Sequence, residues 1–193
     1  DALVYAQDKA LMREKMADLG VDCPAFAVCD TVNELSAFGE RQGWPIIAKT
    51  SRGGYDGKGV WKLDDDAQAE LPFDGIAHSS AGERVRIVAE EFVDFARELS
   101  AIVVRSPSGQ VVAYPISETV QTDGICVETV TPAPGLDADR AAELQQMAIR
   151  IATELGVVGV LAVELMEARD GRILVNELAM RPHNTGHWTI DGA

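Results

Sequence analysis

Two glutamates near the end of the chain, Glu164 and Glu177, stand where a cation is needed. The segment "VGVLAVELMEARDGRILVNELAM" places Asp170-Gly171 between two β-rich runs, the pattern of a hairpin with a tight two-residue turn. With those two residues at the centre of the turn, Arg169 faces Arg172, Met166 faces Val175, and Glu164 faces Glu177. Directly opposed side chains lie about 4.5–5.5 Å apart at Cβ, and like charges there repel. Both strands carry apolar residues on both faces, so the pair is expected to be buried. Buried carboxylates need a proton or a cation between them, and a hard divalent ion such as Mg²⁺ takes carboxylate oxygens. Asn176 adds an amide oxygen if the strand end bends. The same residues also read as solvent-facing edge positions, or as a longer turn with a slipped register.

Three further stretches carry chemistry. "KTSRGGYDGKGVWKL" runs from Lys49 to Leu63, and its glycines 53, 54, 57 and 59 allow positive φ and close backbone approach to a ligand. Amides in such a loop can cradle phosphate oxygens, with Lys49 and Lys58 adding charge. The order is not that of a Walker loop, because Lys58 is followed by Gly59 and no helix follows. A hairpin tip with solvated lysines is the competing reading, although a turn of this length does not need Tyr55 and Asp56 at its tip. "VAEEFVDFARELSA" sets Glu90, Val93 and Glu98 on extended backbone, able to offer main-chain groups to an adenine edge and a carboxylate to ribose hydroxyls. It reads equally as a solvated acidic face. "RPHNTGH" groups Arg181, His183, Asn184 and His187 after the second glutamate, a pocket for carboxylate, bicarbonate or phosphate.

Composition limits what those groups serve. Seventeen Lys and Arg against 31 Asp and Glu give a net charge of −14 over 193 residues. That argues against nucleic acid or an anionic membrane as partner, because both need a basic footprint. It leaves room for a small anion held by a local cluster. No apolar run approaches the roughly 20 residues of a membrane span. The N-terminus lacks the pattern of a secretory signal. The three cysteines, Cys23, Cys29 and Cys126, have no metal spacing and read as reduced, packed thiols of a cytoplasmic protein.

The elements that must position these groups follow from periodicity. Residues 8–19 read as a helix stopped by Gly20, and "PAFAVCD" as a strand. Thr31 and Glu34 form a capping box ahead of a helix that turns Leu35 and Phe38 inward and stops near Gly43. Strands are expected over 45–50 and 59–63, and within "VRIVAEEFV", "ELSAIVVR" and "QVVAY", with "SPSG" as a turn. Residues 64–82 are polar and give no clear element. Residues 115–135 read as an extended loop with one strand, "ICVETVTP". Asp137 starts a helix in which Leu144, Met147, Ile151 and Leu155 recur at helical spacing. The pattern is α+β with mostly antiparallel strands. A composition shift divides it into residues 1–83, with the glycine loop, and 84–193, with the carboxylates.

Taken together, "KTSRGGYDGKG", "EEFVDFARELS", "YPISETVQTDGI" and "NELAMRPHNTGHWTIDGA" resemble the ATP-grasp superfamily, over essentially the whole chain. "AQDKALMREKMADLGV" looks like that family's entry into its two lobes. The resemblance implies two α+β lobes clasping ATP, and it is closest to members that carboxylate aminoimidazole ribonucleotide with bicarbonate, through carboxyphosphate, in purine biosynthesis. It implies that Lys9 and Lys49 bind the nucleotide, and that Gly53 to Gly59, including Gly54, Gly57 and Lys58, form a lid over its phosphates. Glu90 and Val93 match the adenine hinge and Glu98 the ribose carboxylate. Glu164 and Glu177 match the Mg²⁺ ligands, with Asn176 beside the nucleotide. Arg181, His183 and Asn184 match the bicarbonate and carboxyphosphate pocket, and Tyr55 and Asp56 the loop near the ribonucleotide. Thr119 and Gln121 stand where the family commonly has an amide and an imidazole. The partners implied are ATP, bicarbonate and aminoimidazole ribonucleotide, with room for a homodimer of the full-length enzyme. The flanking domains of such enzymes are not in this sequence, so it reads as the central portion of a longer chain, inactive or weakly ATP-hydrolysing alone. The alternatives are a different ATP-grasp carboxylate–amine ligase and a non-catalytic ATP-binding module.

Overall fold

The computed structural model describes residues 2–53, 58–77, 85–122 and 125–192. One helical turn, α1 (Val4–Gln7), leads into α2 (Lys9–Asp18), whose first amides, of Ala10 and Leu11, donate to the Asp8 carboxylate. β1 (Phe26–Cys29) precedes α3 (Val32–Gln42), which starts on the expected Thr31–Glu34 capping box and ends at Gly43. β2 (Ile46–Thr50) and β3 (Val60–Leu63) flank the glycine loop. Gly54, Tyr55, Asp56 and Gly57 lie outside the described residues. Gly59 has φ +71°, and a Cβ there would sit 2.6 Å from the Thr50 hydroxyl, so glycine is required at the base of the loop.

The polar stretch without a clear element contains a helix, α4 (Leu71–Ala77). Its sequence, "LPFDGIA", hides a helix behind Pro72 and Gly75, but proline is tolerated in a first turn. β4 (Ile87–Glu91) follows, then the long β5 (Phe95–Arg105) and β6 (Val111–Ala113).

The region expected to be a loop with one strand is a hairpin, β7 (Ser117–Thr122) and β8 (Ile125–Val130). Apolar alternation does not reveal β7, because neither of its faces is oily. The polar Thr119 and Gln121 look into a cleft, and Glu118 on the other face takes a hydrogen bond from Arg97 at 3.0 Å. α5 (Ala138–Glu154), capped by Asp137, precedes β9 (Gly159–Ala168), β10 (Ile173–Ala179) and a terminal turn, α6 (Thr189–Gly192).

The strands form two antiparallel sheets, ordered β1-β4-β2-β3 and β10-β9-β5-β7-β8, with β6 also paired to β5. The expected α+β architecture of two lobes is what the chain adopts. The sheets do not divide at residue 83, however. β4 sits between β1 and β2 in the smaller sheet, and Met12 and Met16 of α2 join the core of the larger one. Charge and composition change where the chain is polar, whereas lobe membership is decided by strand pairing. The smaller core gathers Leu35, Phe38, Ile46, Leu63 and Ile87, and the larger gathers Leu144, Ile151, Leu161 and Leu165.

Candidate functional site

The β9–β10 hairpin places the two glutamates opposite each other by a route the sequence did not suggest. The turn holds three residues, not two: Ala168 donates to the Arg172 carbonyl (2.8 Å), Gly171 donates to the Ala168 carbonyl (2.9 Å), and Gly171 has φ +87°. Arg169 therefore does not face Arg172, and Met166 pairs with Leu174 instead of Val175. A bulge between Val175 and Glu177 then shifts the register back by one, so Glu177 does face Glu164. The bulge has a second effect. Neighbouring residues on a regular strand point to opposite faces, yet Asn176 and Glu177 both line the same cleft.

That cleft has a volume of about 700 Å³ and lies between the two sheets. Lys9 and Lys49 line it from α2 and β2; Glu98, Ser100, Thr119, Gln121 and Cys126 from the larger sheet; and Arg181, His183 and Asn184 from the segment after β10. Lys9 Nζ lies 3.1 Å from Glu177 Oε1. His183 Nε2 lies 2.9 Å from Glu164 Oε1, and its Nδ1 lies 2.8 Å from the hydroxyl of Thr185. That hydroxyl donates to Ser100 Oγ at 2.9 Å, and both Ser100 and Thr185 are buried. A carboxylate only accepts, so Nε2 donates to Glu164.

One layer deeper lies an ion network. Glu90 is only 2% exposed. Its Oε1 accepts from Arg13 Nε (2.6 Å) and its Oε2 lies 2.8 Å from Lys49 Nζ, which also donates to Asn176 Oδ1 (3.1 Å). Burial pushes the Glu90 carboxyl up, but Lys49 and Arg13 outweigh it and bring the group down to about 2. Glu98 moves the other way. Burial, and then the charge of Glu164, hold its carboxyl above the usual range, with Lys49 opposing.

The structure thus brings Lys9, Lys49, Glu98, Glu164, Asn176, Glu177, Arg181, His183 and Asn184 to one cleft. It does not bring there the side chains of Glu90, engaged by Arg13 and Lys49, or of Val93, which packs with Met166, Ala168 and Leu174. Lys58 is exposed at the base of the glycine loop and is not among the residues lining the cleft. Sequence reasoning overlooked Arg13, Ser100 and Thr185. Arg13 did leave a signal, a charged residue between Met12 and Met16 on the inward face of a helix. Among the described residues, no group of three or more His, Cys, Asp or Glu side chains is arranged for a metal ion, and no helix is long and apolar enough to cross a membrane.

The ATP-grasp domain family matches residues 14–193. N5-carboxyaminoimidazole ribonucleotide synthase of Mycobacterium bovis is 52% identical over 192 residues, covering 100% of this chain and 44% of that protein. The Bacillus subtilis protein of the same name is 36% identical, covering 99% of this chain and 48% of its own length. The chain therefore spans less than half the length of these relatives. A crystal structure of an N5-carboxyaminoimidazole ribonucleotide synthetase with ADP superimposes with a TM-score of 0.86 at 32% identity, over 98% of this chain and 48% of that one. The Aspergillus clavatus synthase, in complex with ADP and 5-aminoimidazole ribonucleotide, gives 0.85 at 27% identity over 99% and 48%. With two antiparallel lobes facing across a cleft, and a family match over nearly all of its length, the chain belongs to the ATP-grasp family.

Proposed function

We propose that this chain is the nucleotide-handling part of an enzyme that uses ATP and bicarbonate to carboxylate the exocyclic amine of 5-aminoimidazole ribonucleotide, in purine biosynthesis. The observation that carries the reading is the meeting, in one cleft, of two lysines from α2 and β2 with a facing carboxylate pair from β9 and β10. Relatives of the same name, 36–52% identical over this region, support the choice of reaction.

Lys49 and Lys9 would take the phosphates. Their present partners, Glu90 with Asn176 and Glu177, hold each ammonium at the cleft wall. Glu98 would take the ribose, and Glu90 and Val93 would lie by the adenine hinge. The resemblance gives Lys58, with Gly54 and Gly57, a role in covering the phosphates, and Tyr55 and Asp56 a role in binding the ribonucleotide. The donors on β9 and β10 fit Mg²⁺: Glu164 and Glu177 would give two carboxylates and Asn176 an amide oxygen. The ion would neutralise charge on the β and γ phosphates.

The reaction needs positioning more than covalent help. A bicarbonate oxygen attacks the γ-phosphorus, the bond to the β-phosphate oxygen breaks, and ADP leaves. Arg181 and Asn184 would bind the bicarbonate beside His183, which Thr185 and Glu164 hold in place. The amine of the ribonucleotide then attacks the carboxyl carbon of carboxyphosphate, phosphate leaves, and the amine loses a proton. Water must be excluded between the steps, because carboxyphosphate hydrolyses readily.

The test follows ADP release and incorporation of labelled bicarbonate into the ribonucleotide as separate signals. It compares this chain with a full-length relative. Bicarbonate-stimulated ADP release by this chain, with carboxylation only in the longer protein, is expected. Stimulation by formate, with no response to bicarbonate, would overturn the choice of substrate.

A further inference from the structure

Arg13 is a fully buried arginine that no part of the reaction above uses. Its guanidinium makes three strong contacts. Nε donates to Glu90 at 2.6 Å, one Nη donates to the Val175 carbonyl at 2.7 Å, and the other donates to the Asn176 carbonyl at 2.9 Å. Consecutive carbonyls of a regular strand point in opposite directions, so a single planar group reaches both only because of the bulge between Val175 and Glu177. The bulge also leaves those carbonyls in need of donors, which a fork-shaped guanidinium supplies and a point-like ammonium does not.

The contacts close a ring. Arg13 holds Glu90, Glu90 holds Lys49, Lys49 holds the Asn176 side chain, and Arg13 holds the Asn176 backbone. The ring ties α2, β2 and β4 to the point on β10 where register is corrected. Without that correction the strand would keep the pairing it has at Met166 and Leu174, and Glu164 would face Asn176, one residue short of Glu177.

We infer that Arg13 is a positioning residue: it fixes the β10 bulge and so sets the spacing of Glu164 and Glu177 for a divalent cation, while holding Lys49 through Glu90. This rests on the reading of the cleft as a Mg²⁺–nucleotide site. Arg13 touches neither the nucleotide nor the metal, so its loss acts on metal dependence before it acts on nucleotide affinity.

The test is ATP titration of the 193-residue chain across a range of Mg²⁺ concentrations, for the wild type and for Arg13→Lys, with folding checked by circular dichroism. Arg13→Lys keeps the charge and removes the fork. It should raise the Mg²⁺ concentration needed for half-maximal ATP binding by about 10–100-fold, the range usual for groups that orient metal ligands. Affinity for ATP without Mg²⁺ should change by less than about threefold, well below that range. A folded Arg13→Lys protein with the wild-type Mg²⁺ midpoint overturns the inference and leaves the nucleotide reading intact. A wild type that binds no ATP at any Mg²⁺ concentration overturns the nucleotide reading, and the inference with it. If Arg13→Lys does not fold, nuclear magnetic resonance on the wild type decides. Adding Mg²⁺ to the ADP-bound protein should shift the Arg13 guanidinium signals together with the Asn176 and Glu177 amides, and their indifference to Mg²⁺ overturns the inference.

Discussion

The two walls of the cleft are built on different terms. On the wall formed by β2 and β4, Lys49 is fixed by a carboxylate that is itself held by a second cation, and the side chain of Glu90 is 3% exposed. On the wall formed by β9 and β10, Glu164 and Glu177 have side chains 28% and 39% exposed, held by His183 and Lys9. The first wall gives one anion to two cations in the interior, so its carboxylate is fully engaged and the wall keeps a net positive charge. The second sets two anions face to face and balances them loosely, so it gains most from an incoming cation. Rigidity and readiness to bind are thus separated onto different sheets, and substitutions in the two walls should fail differently.

The largest effect should come from breaking the inner wall. Glu90→Ala strands Arg13 and Lys49 in the interior without their carboxylate, and should cost about 3–5 kcal/mol of folding stability by chemical denaturation. A loss below about 1 kcal/mol, the value of an exposed pair, would show that the ring is not structural. The acid limb of stability has the same origin. The Glu90 carboxyl falls from 4.5 in the unfolded chain to about 2 in the fold. Its contribution is therefore complete above pH 4.5 and is lost as pH falls from there towards 2. That amounts to about 3 kcal/mol, and the raised Glu98 carboxyl does not offset it within this window, because its own change falls above pH 4.5, where taking up its proton favours the folded state. Thermal unfolding across that window should show the fall, and Glu90→Gln should flatten it.

Lys49→Ala joins the two walls in one experiment. It removes the proposed charge-assisted phosphate donor and should weaken ATP binding about 10–100-fold. Unchanged affinity in a folded variant would remove Lys49 from the nucleotide site. The smallest effect should come from a pair belonging to neither wall. Arg140 and Glu143 are largely exposed on α5, and Arg140→Ala should cost no more than about 0.5 kcal/mol.

The same division governs what was legible in the sequence. The capping box at Thr31, the inward Leu35 and Phe38, and the stripe on α5 are local patterns, and each formed as expected. The facing of Glu164 and Glu177 was also legible, but through two departures that cancel: a three-residue turn moves the register by one, and the bulge beside Asn176 moves it back. The bulge has no local signature, because it is held from outside the hairpin by Arg13, 163 residues away from Asn176. β7 was missed because its cleft-facing residues, Thr119 and Gln121, are polar and leave it no apolar face to alternate. The lobe boundary was missed because β4 pairs between β1 and β2, a long-range choice that composition does not record.

The central claim, that the loosely balanced wall awaits a metal–nucleotide pair, is tested most directly by calorimetric titration of ATP into the wild type, Glu164→Gln and Glu177→Gln, each with and without Mg²⁺. The account predicts that Mg²⁺ tightens ATP binding in the wild type and that either substitution abolishes the tightening. Folding stability should be unchanged or raised by up to about 1 kcal/mol, because a facing like-charge pair has been relieved. A wild type whose ATP affinity ignores Mg²⁺, or variants that keep the full Mg²⁺ response, would contradict it.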